Sequence, residues 1–361
     1  MMQRNPAKRG TPPWRGIFYE AISKGPKMYR KITKENVIKL LAGLKSRAEV
    51  LGPAKVNGLW AFLPLDSQDL PQGFQNSRLP PKGLFFESLR ELFEWKAPAG
   101  GFQLNPFPPP EGQRVIFGIK PCDARALRIL EPVFTKDYPD VFYMKNLSRT
   151  LLLGQTCRTQ CEGSFCGEMG IDPQDSADVD LLFQEIPGGY VAKIFTERGK
   201  SLIEGNSFFE EASAKDWDAA KGEIRGKREK PLFDLEKVKA GAGTRFMDED
   251  FWKRVSAKCI NCGICTYFCP TCHCFDLCDL QMPGQGIRFR CGDSCAFPSF
   301  TKMAVHNPRE EKWRRYRQRV SHKFNFFHQN FQMIACVGCG RCVAHCPVNL
   351  DLREVLLEVA R

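Results

Sequence analysis

The sequence predicts two domains: an N-terminal domain of the α/β or α+β class, followed by a mainly α-helical domain that carries a repeated cysteine motif. Apolar runs at residues 114–120 and Thr150–Gln155 are typical of buried strands, and each ends close to a cysteine. The cysteine motif occurs twice after residue 258, and a Gly-Ala-Gly stretch at residues 240–244 is typical of a boundary. We predict an extended arm over residues 1–27, an α/β domain over 28–243 and a helical domain over 244–361.

The N-terminal elements follow from apolar spacing and turn signals. Pro, Gly, Lys and Arg dominate the arm, a composition typical of an extended segment. Thr33 is a suitable N-cap for a first helix whose apolar face is formed by Val37, Leu40, Leu41 and Leu44. A helix is predicted after the strand at 114–120, and residues 188–196 are predicted to form a further strand. Because two strand ends lead into cysteine, we expect the chemistry at the carboxyl edge of the sheet.

The C-terminal elements are predicted to be helices between cysteine loops. Asn307, Pro308 and Glu310 have the pattern of a helix start, which predicts a basic helix to about residue 323. Asp351 is a suitable cap for the last helix, whose apolar residues fall on one face.

The repeated motif has the spacing C-x2-C-x2-C-x3-C-P, with which ferredoxin-type chains hold 4Fe-4S clusters. Its fourth cysteine normally binds the other cluster of a two-cluster protein. This rule assigns cluster one to Cys259, Cys262, Cys265 and Cys346, and cluster two to Cys336, Cys339, Cys342 and Cys269. Closure of each cluster by its own motif is the alternative. Zinc is the competing metal, but structural zinc sites usually take cysteines in separated pairs.

Nine other cysteines are present. The four in the N-terminal domain could hold a third cluster if the strand ends bring them together: Cys122, Cys157, Cys161 and Cys166. The alternative is buried free thiols, with the pKa of Cys122 lowered at a helix N-terminus.

A long connection, residues 271–335, separates the two motifs and carries five cysteines. A further cluster or a redox-active thiol site is one interpretation, with a preferred set of Cys272, Cys274, Cys291 and Cys295. Structural thiols around a small helical core are the alternative.

Composition limits the function classes. Seventeen cysteines without a secretory signal indicate metal or redox chemistry in the cytoplasm, and no apolar run is long enough to span a membrane. The net charge of +12 could suggest nucleic acid, but charge compensation of anionic clusters and a solvated surface explain it better. We therefore expect no nucleic-acid partner. No standard nucleotide-binding motif is present.

Residues from about 32 to 361 resemble a family of electron-transfer subunits that includes the β subunit of cytoplasmic sulfhydrogenases and the A subunit of anaerobic sulfite reductase. The resemblance rests on several motifs in one order: VIFGIKPCDARALRILEPVF from Val115, CPTCHCFD from Cys269, DSC from Asp293, RYRQRVSHKF from Arg315, and the second cysteine motif. The N-terminal arm, Cys278 and Cys291 depart from the family pattern.

The resemblance implies a subunit that relays electrons between a flavin-containing NAD(P)H-type subunit and a catalytic subunit such as a hydrogenase or sulfite reductase. A ferredoxin is a further candidate partner. Two alternatives stay open: direct reduction of sulfite or polysulfide at the cysteine-rich connection, and a binding module in which the clusters are structural. On the leading interpretation the chain is part of an oxidoreductase without being its catalytic subunit.

Overall fold

The computed structural model describes residues 28–65, 70–71, 73–98 and 100–361. The predicted arm at residues 1–27 lies outside these residues. The strands are β1 (Met28–Thr33), β2 (Ala48–Val56), β3 (Leu59–Pro64), β4 (Leu89–Lys96), β5 (Gln103–Pro106), β6 (Gln113–Ile119), β7 (Thr150–Gln155), β8 (Leu181–Ile186), β9 (Gly189–Ile194), β10 (Glu210–Ala212), β11 (Phe275–Met282) and β12 (Gln285–Gly292).

The α-helices alternate with these strands in the first half of the chain and dominate the second half. They are α1 (Lys34–Leu44), α2 (Pro121–Thr135), α3 (Val141–Ser148), α4 (Glu197–Ile203), α5 (Ala214–Ala220), α6 (Leu235–Thr244), α7 (Glu249–Val255), α8 (Ile264–Tyr267), α9 (Lys312–Ser321), α10 (Phe327–Phe331), α11 (Arg341–Ala344) and α12 (Leu352–Val359). A π-helical turn, His322–Phe326, joins α9 to α10.

Within the described residues the N-terminal region forms an eight-stranded mixed sheet in the order β10-β1-β9-β8-β7-β6-β2-β3. Strands β2, β6, β7 and β8 run parallel to their neighbours in this set, and the outer pairs are antiparallel. Alternating residues along a strand bury opposite faces: Phe117 packs in the core that includes α1, and Ile116 packs in the core that includes α2. The predicted mixed α/β class of the N-terminal region is therefore confirmed.

Several predicted elements form as the apolar pattern indicates. The Thr33 side chain accepts a hydrogen bond from Asn36 N at the start of α1, and Asp351 caps α12 in the same way. Strand β7 has the predicted bounds, and β6 and β9 lie within one or two residues of theirs.

The basic helix begins later than predicted. Asn307 does not start it, because its side-chain oxygen accepts from Arg309 N in a local turn and its amide nitrogen donates to Pro298 O. Helix α9 begins at Lys312 and ends at Ser321, where the π-helical turn follows. Asn favours such local turns as strongly as helix caps, so the sequence pattern alone did not decide between them.

The prediction of a mainly α-helical C-terminal domain is not confirmed, because this region also contains strands. The connection contains the hairpin β11–β12, whose second strand pairs with β4 in a four-stranded antiparallel sheet ordered β11-β12-β4-β5. Alternating apolar and polar residues in FDLCDLQM and the turn at Pro283-Gly284 indicate a hairpin. The hairpin becomes part of a larger sheet only through β4, which lies nearly 200 residues earlier in the chain. The hairpin thus ties the connection to the N-terminal region.

The Gly-Ala-Gly stretch lies inside α6 rather than in an extended linker. A Cβ atom on Gly241 would lie 1.8 Å from Val359 O, so this glycine allows α6 and α12 to approach closely. Val238 and Ala242 pack in the same core as α12. The domain boundary at residues 243–244 remains a prediction.

Candidate metal centres

The first cysteine motif forms a loop around α8. Gly263 has a φ of +78° immediately before this short helix, a conformation that other residues adopt only with strain. Asn261 N donates to Cys259 Sγ at 3.4 Å, as expected of a loop that directs backbone N–H groups at sulfur. One cavity is lined by the four cysteines predicted for cluster one: Cys259, Cys262, Cys265 and Cys346.

The second motif forms the equivalent loop before α11. Gly340 has a φ of +83°, and Gly338 N donates to Cys336 Sγ at 3.4 Å. Burial raises the pKa of the Cys336 thiol to about 12 and that of Cys339 to about 11, and the nearby Cys269 adds to both shifts. The thiol of the first motif's last cysteine therefore acts electrostatically on the second motif. This placement agrees with the crossed assignment, which remains a prediction.

The cysteine loops have features that a 4Fe-4S cluster requires. A cubane cluster needs thiols at the corners of a larger cage, around a cavity that the loop encloses. The cavity of the first motif, the N–H groups directed at sulfur and the buried cations described next meet these requirements.

Two buried cations face the cysteine loops. Lys323 Nζ donates to Cys269 Sγ at 3.2 Å, and Arg319 Nη2 donates to Cys265 O at 3.1 Å. Burial lowers the pKa of both side chains, but neighbouring cysteines, among them Cys269 and Cys265 respectively, outweigh burial and raise each pKa above its ordinary value. A buried cation next to an anionic cluster provides charge compensation inside the protein.

Part of the basic helix is buried, although a run of basic residues on a helix usually faces solvent. Arg315 and Arg319 are buried, as is Lys323 in the following π-helical turn. Their spacing of four residues places them on one helical face, and that period was the signal available in the sequence.

The four N-terminal cysteines are brought together by the carboxyl edge of the sheet. Cys122 is the second residue of α2, which follows β6, and Cys157 lies two residues after the end of β7. A cavity of about 260 Å³ is lined by Cys122, Cys157, Cys161 and Cys166, together with Cys339 of the second motif. Burial raises the pKa of Cys122 well above its usual value, so the expected lowering at a helix N-terminus does not occur.

A buried ion pair fixes the second motif to the N-terminal region. The Arg341 guanidinium donates to both oxygens of Asp123, at 2.7 and 2.8 Å, and to Ser77 O at 2.8 Å. Arg341 and Asp123 are almost fully buried, at 3% and 1% side-chain exposure. No local sequence pattern indicates this pair, because the partners are more than 200 residues apart.

The connection cysteines do not form the predicted set of four. Cys274 forms a hydrogen bond with Cys295, and Cys272 forms one with Cys269. Cys291 lies apart from them on the hairpin, with its Sγ 2.9 Å from that of Cys278. The register of β11 and β12 explains this, since Cys291 is opposite Asp276 and Cys278 is its diagonal neighbour.

Comparison with known proteins identifies the family. A 4Fe-4S dicluster domain family matches residues 258–350, which include both cysteine motifs. The chain is also 30% identical over 342 residues to the sulfhydrogenase 2 β subunit of Pyrococcus furiosus, covering 92% of this chain and 98% of that protein. The chain belongs to the family of sulfhydrogenase β subunits. No solved structure shows a significant match.

This membership confirms the prediction of an iron–sulfur electron-transfer subunit of an oxidoreductase. In the part of the chain that the structure describes, none of the helices has the length and apolar character needed to span a membrane.

Proposed function

We propose that the chain relays electrons between a flavin-containing NAD(P)H-type subunit and a catalytic subunit, through clusters held at the two motifs and at the N-terminal quartet. The observation that supports this most is the continuity of three cysteine sets. Cys339 of the second motif lines the cavity of the N-terminal quartet, and Cys342 lines the cavity of the first motif. The second motif therefore lies between the other two sets.

The clusters would supply one-electron transfer, within the wide range of potentials open to cysteine-ligated iron–sulfur centres. The chain itself would set those potentials through burial, through backbone N–H groups directed at sulfur, and through Lys323 and Arg319. Cys269 and Cys346 would each complete the site of the other motif, which keeps the two sites adjacent.

The partners are proposed from the family. The relative's name describes a sulfhydrogenase subunit, so a hydrogenase-type catalytic subunit is the first candidate for the terminal site. The experiment is tagged purification of the full chain from its native cells under strict exclusion of oxygen. We expect a flavoprotein and a catalytic oxidoreductase subunit to co-purify. Recovery of the chain alone, with its iron complete, would contradict the relay.

The relay also predicts the effect of interrupting the middle site. Cys339→Ser should abolish electron flow from reduced nicotinamide to the terminal acceptor of the complex. Cys278→Ser, a change at a hairpin cysteine outside the three sets, is the matched control and should leave that flow intact. Equal flow in both variants would exclude the second motif from the path.

A second candidate, reduction of a sulfur compound by the chain itself, is favoured by one observation. Cys272 and Cys274 open into a cavity of about 110 Å³ that Lys82 and Asp293 also line. The hydrogen bond from Cys295 lowers the pKa of Cys274 to about 7. Cys274 is therefore more readily ionised, and so more reactive as a nucleophile, than Cys272, whose pKa is raised. Loss of polysulfide or sulfite turnover in Cys274→Ser, with the EPR signals of the motif clusters unchanged, would favour this function over simple relay.

A module with purely structural clusters is the remaining alternative. It requires clusters that cannot be reduced and the absence of a co-purifying flavoprotein, so the purification above also tests it.

A further inference from the structure

A second cavity, of about 270 Å³, lies at the carboxyl edge of the large sheet beside the cysteine quartet. The two cavities share Cys157 and Thr159 in their linings. Ligands of open α/β sheets bind at this edge. The polar side chains that line this cavity include Lys120, Arg158, Thr159, Glu185, Tyr190 and Arg225.

The lining of this cavity carries an excess of positive charge. Arg158 and Arg225 contribute two guanidinium cations, and Lys120 is a third basic side chain. Glu185 contributes the carboxylate, but Lys34 Nζ already lies 2.7 Å from one of its oxygens. The positive charge of the lining is therefore not neutralised by Glu185 and can attract a negatively charged ligand.

Hydrogen-bond donors in the cavity are largely unused by the described part of the chain. The Arg158 guanidinium donates to the carbonyl of Glu185 alone, which leaves most of its N–H groups without a protein acceptor among the described residues. The Arg225 guanidinium and the hydroxyls of Thr159 and Tyr190 have no hydrogen bond or ion pair to any described residue. Lys120 Nζ donates to Gln155 Oε1 at 3.1 Å and to Thr156 O at 3.3 Å, so its ammonium group is held in the cavity wall.

Guanidinium groups with free N–H pairs match the oxygens of phosphate and sulfate in bidentate geometry. The two arginines are held next to each other by the backbone, because Arg225 N donates to Arg158 O at 3.1 Å. The backbones of Thr159 and Arg225 also form an isolated parallel β-bridge. The cavity is close in volume to the smallest small-molecule sites, which begin at about 300 Å³, so it can admit more than a single oxoanion.

We propose that this cavity binds a small oxoanion ligand, either free phosphate or sulfate or the phosphate group of a small organic molecule, through Arg158 and Arg225. The site goes beyond the relay, and its binding of an anion needs no cluster. Arg158 is partly buried and Arg225 is exposed, so the proposed ligand would be held between a buried and a solvent-facing guanidinium group.

The test is isothermal titration calorimetry on the full-length protein, purified without oxygen, with phosphate, sulfate and glycerol 3-phosphate as separate probes. We expect saturable binding of at least one probe with one site per chain. Arg225→Gln and Arg158→Gln should each weaken it by about tenfold or more, since each removes a charge-assisted hydrogen bond. Arg47→Gln, a change of the same kind at an exposed arginine outside the cavity, should have no effect.

The probes separate the two sources of the anion. Tighter binding of glycerol 3-phosphate than of phosphate assigns the cavity to an organic phosphate, and the reverse order assigns it to a free oxoanion. Because Arg225 is exposed, its replacement should preserve the fold, which circular dichroism and iron content will verify. Absence of saturable binding by all three probes, or equal weakening by Arg225→Gln and Arg47→Gln, would overturn the proposal.

Discussion

At the scale of single residues, the cations around the cysteine loops are the feature with the largest electrostatic consequence. Lys323 has its ammonium group within hydrogen-bond distance of Cys269 Sγ, Thr271 Oγ1 and Ala335 O, and its side chain is buried. Low dielectric makes such a charge act strongly on its neighbours. A bound cluster gains one negative charge on reduction, so this lysine favours the reduced form.

We predict that Lys323→Met lowers the midpoint potential of the cluster at the second motif by roughly 50–100 mV, the equivalent of one to two kcal/mol for one electron. The measurement is a redox titration followed by EPR. Lys39→Met, at an exposed lysine of α1, is the control and should leave the potential unchanged. An unshifted potential in an iron-complete Lys323→Met protein would show that the ammonium does not act on the cluster.

The ion pair between Arg341 and Asp123 allows a second prediction at this scale. Arg341→Met leaves the Asp123 carboxylate buried without its partner, which should lower the free energy of unfolding by roughly 3–5 kcal/mol. Denaturant unfolding in the absence of oxygen measures this. The control is Arg288→Met, which breaks an equally bidentate but exposed pair with Asp279 and should cost about 0–1 kcal/mol. Similar losses in the two variants would contradict the structural role given to Arg341.

Residue types at the motifs were readable from the sequence, because cluster ligation imposes a fixed local spacing. The eight motif cysteines could be named in advance for this reason, whereas the N-terminal quartet was predicted from two strand ends that lead into cysteine. The buried arginines and Lys323 were missed, since a basic helix is usually solvated and only their common face distinguished them. Asp123 and Arg341 carry no local signal at all.

At the scale of elements, glycines in the loop of the second motif allow it to pack closely against the N-terminal region. Gly338 has a φ of +60°, and a Cβ atom there would lie 2.4 Å from Phe165 O. Phe165 N also donates to Gly338 O at 2.7 Å. The loop that carries Cys161 and Cys166 therefore packs directly on the second motif.

We predict that Gly338→Ala reduces the iron content of the protein, because the two cysteine loops must separate to admit the methyl group. Gly284→Ala is the matched control: its φ of +75° is similar, but a Cβ atom there meets only Ala97 O at 3.9 Å. Strain at the left-handed φ, about 1–2 kcal/mol, is then common to both variants. Iron and acid-labile sulfide are measured per chain. Full iron content in Gly338→Ala would mean that the close approach of the loops is not needed for assembly.

Elements defined by their own residues were predicted well, and those that depend on distant pairing were not. Helix α1, strand β7 and helix α12 carry their caps and apolar faces within a few residues. The hairpin β11–β12 has exposed residues on much of its surface and is completed by β4. Cys291 was predicted to belong to a metal or thiol site with three other connection cysteines. The register of the hairpin instead places Cys291 next to Cys278.

At the scale of the whole molecule, the net charge of +12 acquires a partial explanation. Lys82, Arg319 and Lys323 are directed inward to carbonyl or thiol groups around the cysteine loops. Their charges would be compensated by anionic clusters, in agreement with the preference for charge compensation over nucleic-acid binding. The folded protein without iron would retain these cations in close proximity.

We predict that removal of iron under reducing conditions lowers the melting temperature by roughly 5 °C or more, since a loss of a few kcal/mol has this effect in a domain of ordinary size. Buried cations would lose their counter-charges, and the core that includes Cys259, Cys336 and Cys342 would lose its bound centre. Circular dichroism of loaded and iron-free protein, both with thiols kept reduced, measures the difference. Identical melting curves would exclude this contribution to stability.

Reversible reduction of the full chain tests the central claim most directly. The measurement is an EPR-monitored redox titration of anaerobically reconstituted protein with three filled cysteine sets, about 12 iron atoms per chain if each holds a 4Fe-4S cluster. The relay predicts reversible one-electron signals that broaden one another, because the second motif lies between the other two sets. Iron-loaded protein with no reducible signal between about −700 and +450 mV would contradict it.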